Sequence, residues 1–267
     1  MTTINFLGKN SYDDFGLITT KTPSIPMPQR RVVYETIPGR NGVLTEDEKT
    51  YDDVTISVDF SVISDNVPQI SGQIKSWLAG GQGKLILSND PDYYYIAQVV
   101  NKFDITQSII VLGEFTVVFN CKPFKKAVDD TNYIILDNCI SRAGSIINPL
   151  SSYNFTGGTA LSNDTPARLI DTKQVNIFNP GTVESEPITT IYGSGDISVA
   201  IEGSTFSLLG LDDYVTVDTP AKDAYKGTEL RNNIMVGDFP TLNIGESKVS
   251  WSGAVNRIEI QCNSNWI

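Results

Sequence analysis

The sequence predicts a mainly β protein of two successive domains, the first carrying one helix and a protruding hairpin arm. Three observations predict it. Apolar and polar residues alternate with period two through much of the chain up to Phe124, as half-buried strands require. The stretch 141–166 is then rich in Ser, Gly, Asn, Thr and Pro, the composition of a loop or linker. Beyond it, short apolar runs recur between turn residues to the end of the chain. A length of 267 residues agrees with two domains, each large enough to bury a core. The boundary is expected near residues 126 and 127.

In the first domain the clearest strand is Asp53–Val62, where Val54, Ile56, Val58, Phe60 and Val62 alternate with polar residues. Tyr93–Phe103 and Ile109–Asn120, separated by a polar turn near Asp104–Ser108, read as a long antiparallel hairpin. Upstream, Arg31–Ile37 and Val43–Thr50 flank Pro38-Gly39-Arg40-Asn41-Gly42. Two glycines and a proline in five residues reverse the chain, which makes a second hairpin. Its strands carry Arg30, Arg31, Glu46, Asp47 and Glu48 and few large apolar residues. Such an arm cannot fold onto a core of its own and is expected to reach for a neighbour. One segment reads as helical, about Pro68–Leu78. Asp65-Asn66 can cap it, Pro68 suits its first turn, and Ile70, Ile74, Trp77 and Leu78 form one apolar stripe. Gly80-Gly81 supplies the stop.

In the second domain, strands are expected at Val175–Phe178, Ile188–Tyr192, Ile197–Ile201, Phe206–Leu209, Tyr214–Val217, Thr241–Ile244, Lys248–Ser252 and Arg257–Cys262. Between them stand Asn-Pro-Gly, Gly-Ser-Gly-Asp, Glu-Gly-Ser, Gly-Asp-Phe-Pro and Ser-Gly. Many short strands separated in this way argue for an antiparallel sandwich.

Composition narrows the function classes. The net charge of −11 makes nucleic acid a poor partner, because an acidic surface repels a phosphate backbone. The chain has no histidine, which removes Ser-His-Asp and Cys-His nucleophiles, the usual zinc sites and the commonest general base near neutral pH. Cys121, Cys139 and Cys262 are widely spaced, with no CxxC pair, and read as reduced thiols. The N-terminus shows neither a basic nor an apolar leader region, so synthesis and assembly in the cytoplasm are expected. No apolar run approaches the ~20 residues that cross a bilayer, and no membrane partner is expected.

Each local motif has a plain structural reading. Gly80-Gly81-Gln82-Gly83-Lys84 lacks the earlier glycine and the following Ser or Thr of a phosphate loop, and reads as a helix stop and turn. Asp90-Pro91-Asp92 lacks the later ligands of a calcium loop and reads as a turn into a strand. In Tyr93-Tyr94-Tyr95, period two sends Tyr94 to the face opposite the other two. Asn154 and Asn163 fit the glycosylation pattern but carry no weight without export. Trp251, and more weakly Trp266, could serve as a saccharide platform, although alternation places Trp251 in the core equally well. No catalytic residue, metal site or cofactor is predicted.

The order of these features resembles a known family. Tyr12-Asp13-Asp14-Phe15-Gly16-Leu17, the Ile37–Gly42 turn, the helix ending Trp77-Leu78, Lys84–Asp90, Tyr93–Tyr95 and Gly113–Phe124 follow one another in the first half. Asn179–Pro187, Gly193–Ile197, Gly237-Asp238-Phe239-Pro240 and Trp251-Ser252-Gly253 follow in the second. Together they resemble the distal tail proteins of long-tailed phages of Gram-positive bacteria, over nearly the whole chain and least well at 127–166.

The resemblance implies a virion protein of the tail tip, without enzymatic activity, whose first domain forms a homo-hexameric ring beneath the last ring of the tail-tube protein. Arg31, Ile37, Pro38, Gly39, Arg40, Asn41 and Gly42 of the arm would then lie in the subunit interface. A tail-associated lysin or fibre protein would cap the ring. The second domain would be a galectin-like sandwich, docking receptor-binding proteins. Two other readings stand beside it: a carbohydrate-binding module gripping a cell-wall saccharide through the second domain, and a hydrolase working with carboxylates alone.

Overall fold

The computed structural model describes residues 2–62, 67–101, 114–128, 133–137 and 173–267. The predicted 141–166 linker, the turn near Asp104–Ser108, the Asp65-Asn66 cap and both glycosylation motifs lie outside the described residues. The chain divides into two compact units after Val128.

The first unit contains β1 (Ile4–Phe6), β2 (Lys9–Asn10), α1 (Ser11–Phe15), β3 (Leu17–Thr19), β4 (Arg30–Thr36), β5 (Val43–Tyr51), β6 (Val54–Val62), α2 (Val67–Leu78), β7 (Gly83–Leu87), β8 (Asp90–Val99), β9 (Glu114–Cys121) and β10 (Lys126–Ala127). One antiparallel sheet runs β2-β1-β7-β8-β9-β6-β3, with β10 added to β8. Alternation in β6 places Val54, Ile56, Val58 and Phe60 on the core, where Ile56 faces Phe119, Val58 faces Val117 and Phe60 faces Phe115 across the ladder to β9. The predicted hairpin is present where it is described: Ala97, Gln98 and Val99 of β8 pair with Cys121, Asn120 and Phe119 of β9. Tyr95 points into the core, whereas Tyr94 lies on the other face under the Lys84 ammonium, 4.3 Å from its ring centre.

Helix α2 matches the expected segment to within one residue and lays Ile74, Trp77 and Leu78 on the sheet. A second helix, α1, was not predicted. Its single turn and a half is made by local bonds, since the Asn10 side chain accepts from the Tyr12 and Asp13 amides and Gly16 closes it at φ +65°. Phe15 of α1 stacks on Trp77 at 4.6 Å, and the Trp77 indole donates to the Phe6 carbonyl at 2.8 Å. Trp77 therefore ties α2, α1 and β1 together. Replacing Trp77 by Ala is expected to remove about 3–5 kcal/mol from the unfolding free energy of this unit, read by urea titration.

The second unit contains β11 (Tyr133–Asp137), β12 (Gln174–Asn179), β13 (Ile188–Ile201), β14 (Ser204–Asp218), β15 (Asp223–Lys226), β16 (Glu229–Leu230), a 3₁₀ turn (Asn232–Ile234), β17 (Met235–Gly237) and β18 (Gly245–Gln261). Here the structure corrects the expected strands. Ile188–Tyr192 and Ile197–Ile201 are one strand, as are Phe206–Leu209 with Tyr214–Val217, and Lys248–Ser252 with Arg257–Cys262. Thr241–Ile244 contributes only an isolated bridge between Leu242 and Ser185. The three long strands lie side by side as β18-β13-β14 and shift register where their glycines fall, near Gly193 and Gly195 in β13. Glycine there bends the ladder without ending it. The two halves of each strand then turn their inner faces onto one core. Ile191, Val215 and Ile258 come from one half, and Val199, Phe206 and Trp251 from the other. The mainly β, sandwich-like class stands.

Candidate functional site

Strands β4 and β5 form a two-stranded sheet of their own, joined to no other strand among the described residues. Their extents fall within one residue of the expected arm. The tip is a turn in which the Arg40 amide donates to the Ile37 carbonyl at 3.2 Å, with Pro38 second and Gly39 third at φ +81°. Pro presets the φ of the second position and Gly alone adopts the third without strain, so this is a type II turn. Every residue from Val33 to Thr50 is exposed.

The root of the arm is held by charge and by aromatic contact. The Arg30 guanidinium makes two bonds of 2.8 Å to the Asp47 carboxylate, Arg31 pairs with Asp52 at 2.5 Å, and the Asp52 amide donates to the Gln29 carbonyl. Tyr51 packs edge-on against Phe124 at 5.1 Å, fixing the arm to the segment just past β9. Between the pairs Arg30–Tyr51 and Val32–Asp47 the ladder slips, with Glu48, Lys49 and Thr50 bulging out and Lys49 at φ +57°. The Lys49 amide donates to Asp47 at 2.9 Å. That bond first, and the bonds from Arg30 second, hold the Asp47 carboxyl below its ordinary value of 3.8.

A depressed carboxyl contributes order above its unfolded pKa and loses it as pH falls through the folded one. The root is therefore expected to keep its geometry at neutral pH and loosen only in acid, below the ordinary carboxylate range. The Lys49 amide shift, followed by NMR, should titrate with a midpoint under 3.8. In Asp47→Asn that titration should vanish.

What the arm exposes is more apolar than the sequence led us to expect. Val33, Tyr34, Ile37, Val43 and Leu44 are exposed large apolar residues, and Ile25 and Met27 of the lead-in to β4 add to them. Elsewhere in the described part of this unit only Tyr12, Val100, Val128 and the terminal Ile267 are so exposed. Antiparallel partners point the same way, so one face of the arm carries Val33 with Glu46 and Glu35 with Leu44. The other carries Tyr34 with Thr45 and Thr36 with Val43. A lone two-stranded hairpin is marginal in water, and apolar residues clustered on one projection mark an interaction surface. The signal was present in Val32-Val33-Tyr34 and Met27, but the neighbouring charges masked it.

The remaining candidates sit elsewhere. Trp251 is 5% exposed and belongs to the core of the second unit, so its ring offers no face to a saccharide. Cys121 and Cys262 are buried and in no disulfide, and burial pushes the Cys121 thiol up to about 12, far from a reactive thiolate. Among the described residues no cluster of His, Cys, Asp or Glu is arranged to hold a metal, and no helix is long and apolar enough to cross a membrane.

Residues 9–121, from β2 through β9, match a family model described as the phage tail protein RIFT-related domain. No curated protein matches the chain. Among solved structures the chain is similar to the Dit protein of phage SPP1, described as a paradigm of hub adsorption apparatus in Gram-positive infecting phages. The likeness has a TM-score of 0.64 at 12% identity and covers 97% of this chain and 98% of that one. At that identity the fold is what is shared, and it is shared over both units. Residues 9–121 thus match the phage tail protein RIFT-related domain, and over nearly its whole length the chain shares the fold of that Dit protein.

Proposed function

We propose that this protein is a structural hub of a phage tail tip, acting by assembly and not by catalysis. Its first unit forms a closed ring, with six copies as the distal tail resemblance implies. The arm of each copy, including Arg31, Ile37 and the Pro38–Gly42 tip, contacts the next. The ring joins the tail-tube protein on one side to a tail-associated lysin or fibre protein on the other. The second unit, a sandwich of galectin-like kind, offers its surface to receptor-binding proteins.

The observation that carries this reading is the concentration of exposed apolar residues on a projection with no core beneath it. Burying such residues against a second copy removes apolar surface from water at roughly 25 cal/mol per Å². A contact between two different surfaces of one chain, repeated by rotation, closes into a ring. Electron microscopy of the purified protein tests it. Uniform rings with a central opening are expected, whereas a dispersed monomer that binds wall polysaccharide would overturn the proposal in favour of a carbohydrate-binding module.

A further inference from the structure

The turn at the end of the arm is followed by the chain's one Asn-Gly pair, Asn41-Gly42. An asparagine loses its amide to solvent when the next backbone nitrogen attacks its side chain. That nitrogen must be free to give up its proton, unhindered by a side chain of its own, and able to approach. An amide held in a ladder or helix fails the first and last conditions.

Gly42 meets all three. It lies between β4 and β5, and its amide has no hydrogen-bonding partner among the described residues. The closing bond of the turn, from the Arg40 amide to the Ile37 carbonyl, leaves both residues beyond it. Gly42 sits at φ +82° with open space where a Cβ would stand. Asn41 is exposed, and its carboxamide makes no hydrogen bond among the described residues. The two Asn-Ser pairs are held instead. Asn10 accepts from the Tyr12 and Asp13 amides, and Ser11 is buried in α1. Asn263 donates to the Glu186 carbonyl at 3.0 Å, and Ser264 is buried.

We infer that Asn41 is a site of spontaneous deamidation, and that its conversion limits how long an unassembled copy stays competent to assemble. The Gly42 nitrogen gives its proton to hydroxide and attacks the Asn41 Cγ. The new C–N bond closes a succinimide, and the amide nitrogen leaves as ammonia, taking a proton from water. A second water opens the ring at either carbonyl, which yields aspartate or isoaspartate. Either product sets a carboxylate beside Arg40, the only cation between Arg31 and Lys49. Isoaspartate also carries the backbone through the former side chain, lengthening the connection next to the Thr36–Val43 pair. Both changes fall on the surface proposed above to meet a second copy, where an unpaired charge is costly to desolvate. Covered by that copy, the Gly42 amide is withdrawn from hydroxide, so assembled chains are protected. The inference rests on that reading of the arm.

Peptide mapping by mass spectrometry tests it on the full-length chain, aged in mildly alkaline buffer both dilute and concentrated enough to assemble. In the dilute chain, residue 41 should gain about 1 Da roughly tenfold faster than Asn10 or Asn263. In the assembled chain the gain should be several-fold slower. Asn41→Gln, whose longer side chain closes the ring far more slowly, should keep its association through the same ageing while wild type loses it. A residue 41 that gains mass no faster than Asn10 would overturn the site. Equal rates in the two states, or equal loss of association in Asn41→Gln, would overturn its link to assembly. A fresh wild-type chain that never associates would overturn the ring reading, and the mass gain of the dilute chain would stand apart from it.

Discussion

Deleting Arg31–Glu48 is expected to leave a soluble, folded chain that no longer assembles. No residue of this stretch belongs to the core of the first unit, whose cluster draws on β1, α1, β3, α2 and β6 to β9. The Tyr51–Phe124 contact and the β6–β9 ladder lie outside the deletion. Stability should therefore move by little, within about 0.5 kcal/mol as for other exposed substitutions. Association should fall by orders of magnitude, since the deletion removes Val33, Tyr34, Ile37, Val43 and Leu44 together. Circular dichroism and the thermal midpoint read the first expectation, light scattering the second. A truncated chain that assembles as the full one does would show that the arm is not the link.

Gly253→Ala should be among the most damaging single methyl additions in the second unit. Gly253 lies in β18 at φ +93°, where an alanine is strained. Its Cβ would stand 2.4 Å from the Asp196 carbonyl oxygen and 3.1 Å from the Ile197 Cα, both backbone atoms of the facing strand. Neither can swing aside as a side chain would, so β13 and β18 must separate at the bend that folds the sheet onto its core. Strain and displacement together are expected to remove about 3 kcal/mol, a fall in the unit's thermal midpoint of roughly 10 °C or more. Gly195→Ala is the control. Gly195 has φ +74° but open space around its Cβ, so only the backbone strain of about 1–2 kcal/mol applies. Equal losses for the two would mean that the close approach at Gly253 is unimportant.

The first unit was largely legible because its signals are local. The alternation from Val54 to Val62, the stripe Ile70–Leu78 and the Pro38-Gly39 turn each specify an element without help from distant residues. Helix α1 was missed because five residues carry too short a period to register, and its stability comes from Asn10 and from Phe15 stacking on Trp77. In the second unit the glycines misled. Gly-Ser-Gly-Asp has the composition of a turn, and only the pairing of β13 with both β14 and β18 keeps it within a strand. The arm was visible as a hairpin and as charge. Its exposed apolar residues were masked by the charges beside Val33 and Tyr34, and their exposure depends on the fold around them.

Oxidative footprinting of Met27 and Tyr34 tests the central claim most directly. Both are open in the single chain, at 79% and 66% exposure. In the assembled protein their oxidation by hydroxyl radicals should slow several-fold relative to the dilute, dissociated chain, while Leu230 of the second unit, 63% exposed, keeps its rate. Equal rates for Met27 and Tyr34 in both states would mean that nothing covers this surface when the copies meet.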